Sequence, residues 1–388
     1  MSDTPERRAI ISGIGISRLG RRMGIPGLDL TMESCQLAVA DAGLKLTDVD
    51  GMATMGDTPL DEVAHALDLA PRWTGGGVTT GGLLSPVMSA FLAVAEGRAS
   101  HAIVYRTVLM MGGSILPADR PPRPPAAPEE SEGQMGGMSD IPNLLTFHAY
   151  SAANWLAMHC RRHMHLYGTT KEQLGALAVN SRRNAGLNPL AAYRDPITLD
   201  DYLSARPISD PFGLLDCDVP VDGSIAIVVS PADYAPDCAH PVRVEAMGGS
   251  LGLGGWDQRA DYPKMAATDA AAEMWSRTDL SPSDVDVAEL YDGFTFITLA
   301  WLEALGFCAD GEAGPFVADP GQIGLQGRLP LNTYGGQLSA GRMHGYWVLH
   351  EACLQLRGQA GPRQVSDAEV AVVSAGGGPI AGCLLLTR

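Results

Sequence analysis

GLKLTDVDGMATMGD (Gly43 to Asp57) and DLSPSDVDVAELYDG (Asp279 to Gly293) repeat one pattern in the two halves of a single chain. In each, a helix-like segment comes first, a Leu stands four residues before Asp-Val-Asp, and a strand-like stretch follows. A second echo comes in the same order and at a similar offset. AFLAVAEGRASHAIVYR (Ala90 to Arg106) and HEACLQLRGQAGPRQVSDAEVAVVSAGGG (His350 to Gly378) both read as helix, Gly turn and buried β-branched strand. Two ordered echoes predict an internal duplication of a βαβ-type half. Alternating helices and strands then predict sheets covered by helices, because parallel strands need crossover connections and protected faces.

The first half is expected at about 1–115 plus 215–235 and the second at about 236–388, with an insertion over 116–214. Ala118 to Asp140, rich in Pro, Gly and acidic residues, reads as a mobile surface loop. The rest of the insertion is helical in pattern. Ala152 to Gly168 carries apolar residues at helical spacing with Gly168 as its C-cap, and TTKEQLGALAVNSRRNAGLNP forms a second capped helix. LLDCDVPVDGSIAIVVSPADYA (Leu214 to Ala235) returns the chain to a buried strand.

Composition narrows the class. With 388 residues, 46% hydrophobic and 18% charged, the chain buries a large core and is not disordered. Its 46 glycines follow no triplet period, which excludes collagen. A net charge of −17 argues against a nucleic-acid surface, which needs clustered Lys and Arg. The start, MSDTPERRAIISGIG, has no apolar signal core, and no apolar run reaches the length of a membrane span, so a cytoplasmic location without membrane contact is expected. The seven cysteines are odd in number and scattered without a CxxC pair; they read as reduced thiols, with neither disulfide nor zinc.

Four segments can carry chemistry, and each has a plainer reading. GGGVTTGGLLSP (Gly75 to Pro86) precedes a helix near Leu83 and can offer N–H groups to an oxyanion, or serve as a tight turn. ELYDGF (Glu289 to Phe294) puts Tyr291 and Asp292 at a strand end, where α/β folds place reactive groups; equally, Tyr291 packs and Asp292 caps the helix FTFITLAWLEALG. LPLNTYGGQLSAGRMHG (Leu329 to Gly345) is poor in apolar residues for its length, and Arg342 with His344 reads as a site rim or as loop. SAGGGPIAG (Ser374 to Gly382) is a hairpin turn or a close approach to ligand. His159 and His163 share a helical face without a completing carboxylate or Cys, so no metal site is expected. Arg161, Arg182 and Arg183 are surface charges or contacts for CoA phosphates.

Taken in order, these segments resemble the active-site loops of the thiolase superfamily over nearly the whole chain, in the lipid-transfer-protein or sterol-carrier-protein branch. ELYDGFTFITLAWLEALGFC resembles its Tyr-Asp-x-Phe segment, NTYGGQLSAGRMHG its Asn-x-x-Gly-Gly loop, SAGGG its last catalytic loop and LLDCDVPVDGSIAIVV its returning strand. The resemblance implies a thiolase fold, a layered α-β-α-β-α sandwich of duplicated βαβ-type halves with an inserted helical subdomain. It also shows departures. Val78, Thr79 and Thr80 stand where a thiolase carries its nucleophilic Cys, Ser374 replaces the second Cys, and Gly341-Arg342-Met343-His344 replaces Gly-His-Pro. Without a thiolate no acyl-enzyme is expected, since a Thr hydroxyl needs a dedicated base.

The steroid side-chain aldolases of that branch are similar in Tyr-Asp-x-Phe, in Asn-Thr-x-Gly-Gly-Gln-Leu and in His-Gly. They imply retro-aldol cleavage of a 3-hydroxyacyl-CoA into a ketone or aldehyde and a short acyl-CoA such as propionyl-CoA. Of the two tyrosines implicated there, Tyr291 matches the first and Arg342 occupies the second. Such cleavage needs a base, an enolate site and an acid, and no covalent cofactor beyond the CoA of the substrate itself. The expected catalytic set is Tyr291, His344, Asp292 and Arg342, with Tyr291 or His344 as base and Arg342 favouring the Tyr291 phenolate. Asn332, Gly335, Gly336, Thr80, Gly81 and Gly377 are expected to hold substrate and oxyanion. The resemblance further implies a homodimer and a small OB-fold, zinc-ribbon partner forming a heterotetramer. Two other classes stay open: an acyltransferase or condensing enzyme with an unconventional nucleophile, and a non-catalytic acyl-CoA-binding subunit.

Overall fold

The repeated Asp-Val-Asp works the same way in both halves. The first Asp closes a 3-10 turn: Asp48 accepts from the Lys45 N–H and Asp284 from the Ser281 N–H, both at 2.8 Å. The second caps the neighbouring strand. Asp50 accepts from the Ser100 and His101 N–H groups (2.6 and 3.1 Å), and Asp286 from those of Glu369 and Val370 (2.8 and 2.9 Å). Backbone donors at a strand start have no ladder partner, so a carboxylate placed there satisfies them.

The computed structural model describes residues 4–56, 58–117, 141–251, 255–256 and 258–388. The expected loop over Ala118 to Asp140 lies outside them. The first half comprises β1 (Ala9–Ile16), α1 (Gly27–Asp41), β2 (Gly51–Thr54), α2 (Leu60–Ala66), β3 (Trp73–Gly76), α3 (Ser85–Ala95) and β4 (Ala102–Leu109). Next come α4 (Ile141–Thr146), α5 (Ala152–Tyr167), α6 (Lys171–Ala185), α7 (Leu199–Leu203) and the small hairpin β5 (Pro207–Ser209) with β6 (Phe212–Gly213). Strand β7 (Asp222–Pro231) completes the first half. The second half holds β8 (Val242–Ser250), α8 (Ala266–Trp275), β9 (Val287–Glu289), α9 (Thr295–Ala304), α10 (Ala313–Ala318), α11 (Pro320–Ile323), α12 (Tyr346–Leu356), β10 (Val370–Gly377) and β11 (Ile380–Thr387).

The strand orders of the halves match. One reads β3-β2-β4-β7-β1; the other reads β9-β10-β11-β8, with Leu331 bridging Ala288 in parallel where β3 stands in the first. A short antiparallel pairing of β1 with β8, through Ile10 and Ile11, joins the two into one nine-stranded sheet. The pairing is mixed: β2 runs parallel to β3 and β4, and β9 to β10, while β1, β7, β8 and β11 pair antiparallel. Helices α1 and α8 pack against β1 and β8 of their own halves, whereas α12 touches β9 and β10 and also β1 and β7, which puts it between the halves. Strand alternation explains the layers. Along β4, Ile103 and Tyr105 join the cluster under α1, and Val104 and Val108 join the larger cluster with α3 and α12. Gly168, at φ +75°, closes α5 as expected. Among the described residues no helix is long and apolar enough to cross a membrane.

If the second Asp of each repeat anchors its strand, Asp286→Ala will lower the unfolding free energy in urea by about 1–2 kcal/mol, the usual cost of losing a backbone cap. An unchanged midpoint contradicts that role.

Candidate active site

Three segments converge at the end of β9. Just past the strand, the Tyr291 N–H donates to the Ser374 hydroxyl of β10 (3.1 Å), and the Leu290 N–H donates to the Asn332 side chain (2.7 Å). Asp292 is fully buried, and its carboxylate accepts from the Gln337 and Leu338 N–H groups (2.8 and 3.3 Å). It therefore caps the π-helical turn Gly336–Ala340, not α9, whose N-cap is Phe294 without a side-chain bond. A Cβ on Gly336 would lie 1.9 Å from the Asp292 carboxylate, so only glycine admits this contact. Burial pushes the Asp292 carboxyl up to about 6, against the pull of those N–H donors.

The capped turn delivers Arg342 and His344 beside Tyr291. Together with Asp218, Gly376 and Gly377 they form the polar side of a cavity of about 250 Å³. Its apolar side comes from Phe294 and Ile297 of the second half, Leu83 before α3, and Trp155 and Leu156 of the inserted α5. Trp155 lies against Trp256, ring centroids 4.8 Å apart, at that wall. A chamber with one polar side and bulky apolar walls suits a large hydrophobic acyl group attached to a polar reacting centre.

Burial and the neighbouring charges shift these groups away from their ordinary acidities. Arg106 projects from β4 and donates to Nδ1 of His344, from Nε at 3.1 Å. With Nδ1 accepting, the neutral ring carries its proton on Nε2. Burial, then Arg106 and Arg342, hold the His344 pKa well below its usual value. His344 is thus neutral, with Nδ1 taken up by Arg106 and an N–H on Nε2. Tyr291 moves the other way. Burial and the neighbouring Asp218 raise its pKa, and Arg342, Gln337 and Arg106 only partly oppose them, so the phenol keeps its proton at neutral pH. Arg342 favours the phenolate, but burial and Asp218, itself 3.3 Å from the Arg342 guanidinium, outweigh it.

Other expected residues serve the frame. Asn332, left-handed at φ +48°, ties Leu290 in place. Gly335 passes close to Ala185 of α6, where a Cβ would meet the Ala185 Cβ at 2.5 Å. Thr80 and Gly81 do not line the cavity: a Cβ on Gly249 would meet the Gly81 N at 2.5 Å and one on Gly382 the Gly81 O at 2.1 Å, so that loop is packed onto β8 and β11. Arg182 is buried, bonded to Ser339 (2.9 Å) and to the Asp195 carbonyl, and braces the turn from behind. Arg161 pairs with Asp210, and Arg183 lines a separate surface groove beside α6. Among the described residues, no cysteine lines the cavity. Cys383 donates to the Gly248 carbonyl inside the sheet, and burial raises its pKa. His159 and His163 are taken up in packing, the first by the Trp256 and Pro263 carbonyls, the second by Thr169 and Glu303.

Sequence reading missed Arg106, Asp218 and Gln337. Arg106 had a signal, a lone cation inside the apolar alternation of AIVYRTVL. Asp218 had a weaker one, the paired acids of LLDCDVP just before a buried strand.

The thiolase C-terminal domain-like family matches residues 254–384. The chain is 36% identical to the steroid side-chain-cleaving aldolase of Thermomonospora curvata, covering 97% of each chain. It is likewise 36% identical to the 17-hydroxy-3-oxo-4-pregnene-20-carboxyl-CoA lyase of Mycobacterium tuberculosis, over 97% of this chain and 99% of that one. Among solved structures, the Ltp2-ChsH2(DUF35) aldolase superposes with a TM-score of 0.87 at 33% identity, covering 98% of both chains. With this cavity, this duplicated fold and these relatives along its full length, the chain belongs to the thiolase superfamily, in the sterol-carrier-protein-like branch that includes the steroid side-chain-cleaving aldolases.

Proposed function

We propose that this protein is a CoA-dependent carbon–carbon lyase. It splits a 3-hydroxyacyl-CoA with a bulky, steroid-like side chain into a ketone or aldehyde and a short acyl-CoA such as propionyl-CoA. One observation carries the reading: the cavity holds proton donors and a carboxyl group but no thiol. Retro-aldol cleavage needs only that. As the Cα–Cβ bond breaks, its electron pair moves onto the thioester carbonyl, and the enolate oxygen needs preorganised donors. The His344 Nε2–H, with its Nδ1 occupied by Arg106, and the protonated Tyr291 hydroxyl are two such groups. The apolar wall from α5 and Phe294 takes the side chain and keeps water away from the enolate. The same relatives, active on steroid side chains by their names, support the substrate class. Assembly belongs to the proposal too: a homodimer, for which β3 at the outer edge of the sheet offers backbone, joined by a small OB-fold, zinc-ribbon partner in a heterotetramer. The second component in the name of the Ltp2-ChsH2(DUF35) aldolase supports such a partner.

Incubation of the protein and its partner with a bulky 3-hydroxyacyl-CoA of this kind will release short acyl-CoA while the protein mass stays unchanged. An isolable acyl-protein sensitive to iodoacetamide would instead favour an acyltransferase. Tyr291→Phe will lower turnover by about 10²–10³-fold, the range for loss of one oxyanion donor, with substrate binding retained. Near-normal turnover removes Tyr291 from the chemistry. Arg106→Met will raise the His344 pKa toward its ordinary value, as read by NMR titration, because a repelling cation is lost. An unmoved titration contradicts the effect of Arg106 on His344.

A further inference from the structure

We propose that Asp218 is the group that takes the β-hydroxyl proton and returns it to the α-carbon, with Arg342 tuning it. The inference rests on the lyase reading above and names a residue which that reading leaves out.

Placement comes first. Asp218 lies on the segment that returns to β7, and its N–H donates to the Gly293 carbonyl (3.1 Å), directly beside the Tyr291 turn. The next residue bonds both sides of the other active loop: the Val219 N–H donates to Gln337 O and the Val219 O accepts from the Arg342 N–H, each at 2.9 Å. Two loops from the second half thus clamp the backbone on both sides of Asp218. Its side chain, 10% exposed, faces the cavity shared with Tyr291, Arg342 and His344.

Elimination comes second. Among the described residues, four ionisable side chains line the cavity. Arg342 is a guanidinium and has no acceptor. His344 has its Nδ1 lone pair committed to Arg106, and Tyr291 keeps its proton. Asp218 alone has a free acceptor of suitable strength: burial, with Asp292 adding, raises its carboxyl to about 7, and Arg342 limits the rise. Asp216, two residues back, is already neutralised by Lys171 at 2.6 Å and by bonds from Tyr202 and Thr295. A carboxyl poised near neutrality both accepts and gives back a proton, as a shuttle must.

The step balances. Asp218 carboxylate removes the β-hydroxyl proton, the C–O bond becomes C=O, and the Cα–Cβ pair moves to the thioester as an enolate. The carboxylic acid then protonates Cα, the enolate collapses to the short acyl-CoA, and Asp218 is again ionised. No oxidant or other reactant is consumed.

The test is the pH profile of kcat/KM with a cleavable 3-hydroxyacyl-CoA. The wild-type protein will gain activity as pH rises through about 7, where Asp218 loses its proton. Asp218→Asn, nearly isosteric and with its backbone bonds intact, will lose at least about 10²-fold with KM little changed, and the rise near neutrality will vanish. Arg342→Gln removes the cation that lowers the Asp218 pKa, so its rise will move to higher pH by about a unit or more, a tenfold loss at neutrality that alkali restores. Cleavage by Asp218→Asn within threefold of wild type, or an unmoved rise in Arg342→Gln, overturns the assignment. The second variant decides even if the first does not fold. Absence of cleavage by the wild-type protein overturns the lyase reading and this one together, whereas wild-type cleavage with a silent Asp218 overturns this one alone.

Discussion

A single buried carboxylate organises the site. Asp292 binds the N–H groups of Gln337 and Leu338, and those two bonds hold the turn that positions Arg342 and His344. Ionised oxygen bonded to backbone N–H is among the stronger contacts available inside a protein, and here it spans a separation of some 45 residues in sequence. Gly336 is part of the same constraint, because any side chain at that position would occupy the space of the carboxylate. Asn332 and Ser374 fix the other flank of the Tyr291 turn. The cavity is therefore framed by backbone contacts and buried polar groups, which hold Tyr291, Arg342 and His344 toward it.

Within that frame, burial outweighs charge. Arg342 favours the ionised form of both Tyr291 and Asp218, yet both pKa values go up because withdrawal from water counts for more. The result sorts the groups by their intrinsic acidity. The phenol, starting high, ends as a donor, and the carboxyl, starting low, ends near neutrality. His344, moved down by burial and two cations, ends as a neutral donor. Pairs whose environments drive their pKa values apart are how one cavity supplies both acid and base. Among the described residues, no cysteine lines that cavity.

Much of the fold was legible. The paired Asp-Val-Asp stretches showed the duplication, and each Asp proves to have a defined backbone partner in both halves, which is why the pattern recurs. Tyr291, Arg342 and His344 were legible as a group because polar residues in a glycine-rich stretch next to a buried strand lack a packing reason. Their protonation states were not, since burial and the position of Arg106 depend on tertiary structure. Asp292 was legible as a cap but assigned to the wrong partner: the nearest helix in sequence, α9, competes poorly with a turn brought in from far along the chain. Asp218 and Arg106 were hidden because each reads locally as part of a strand or its approach. Arg182 misled in the opposite sense, reading as surface charge while its guanidinium is buried against Ser339.

Carbon–carbon cleavage by the proposed route needs only proton transfer and an oxyanion site, with Asp218 at one end of the substrate and His344 with Tyr291 at the other. A crystal structure of Asp218→Asn with an uncleaved 3-hydroxyacyl-CoA measures this directly. The β-hydroxyl oxygen is expected within hydrogen-bond reach of the residue 218 amide, about 3 Å, and the thioester oxygen facing the His344 Nε2 and the Tyr291 hydroxyl. A thioester carbon seated against a side-chain nucleophile, or an acyl chain lying outside this cavity, would contradict it.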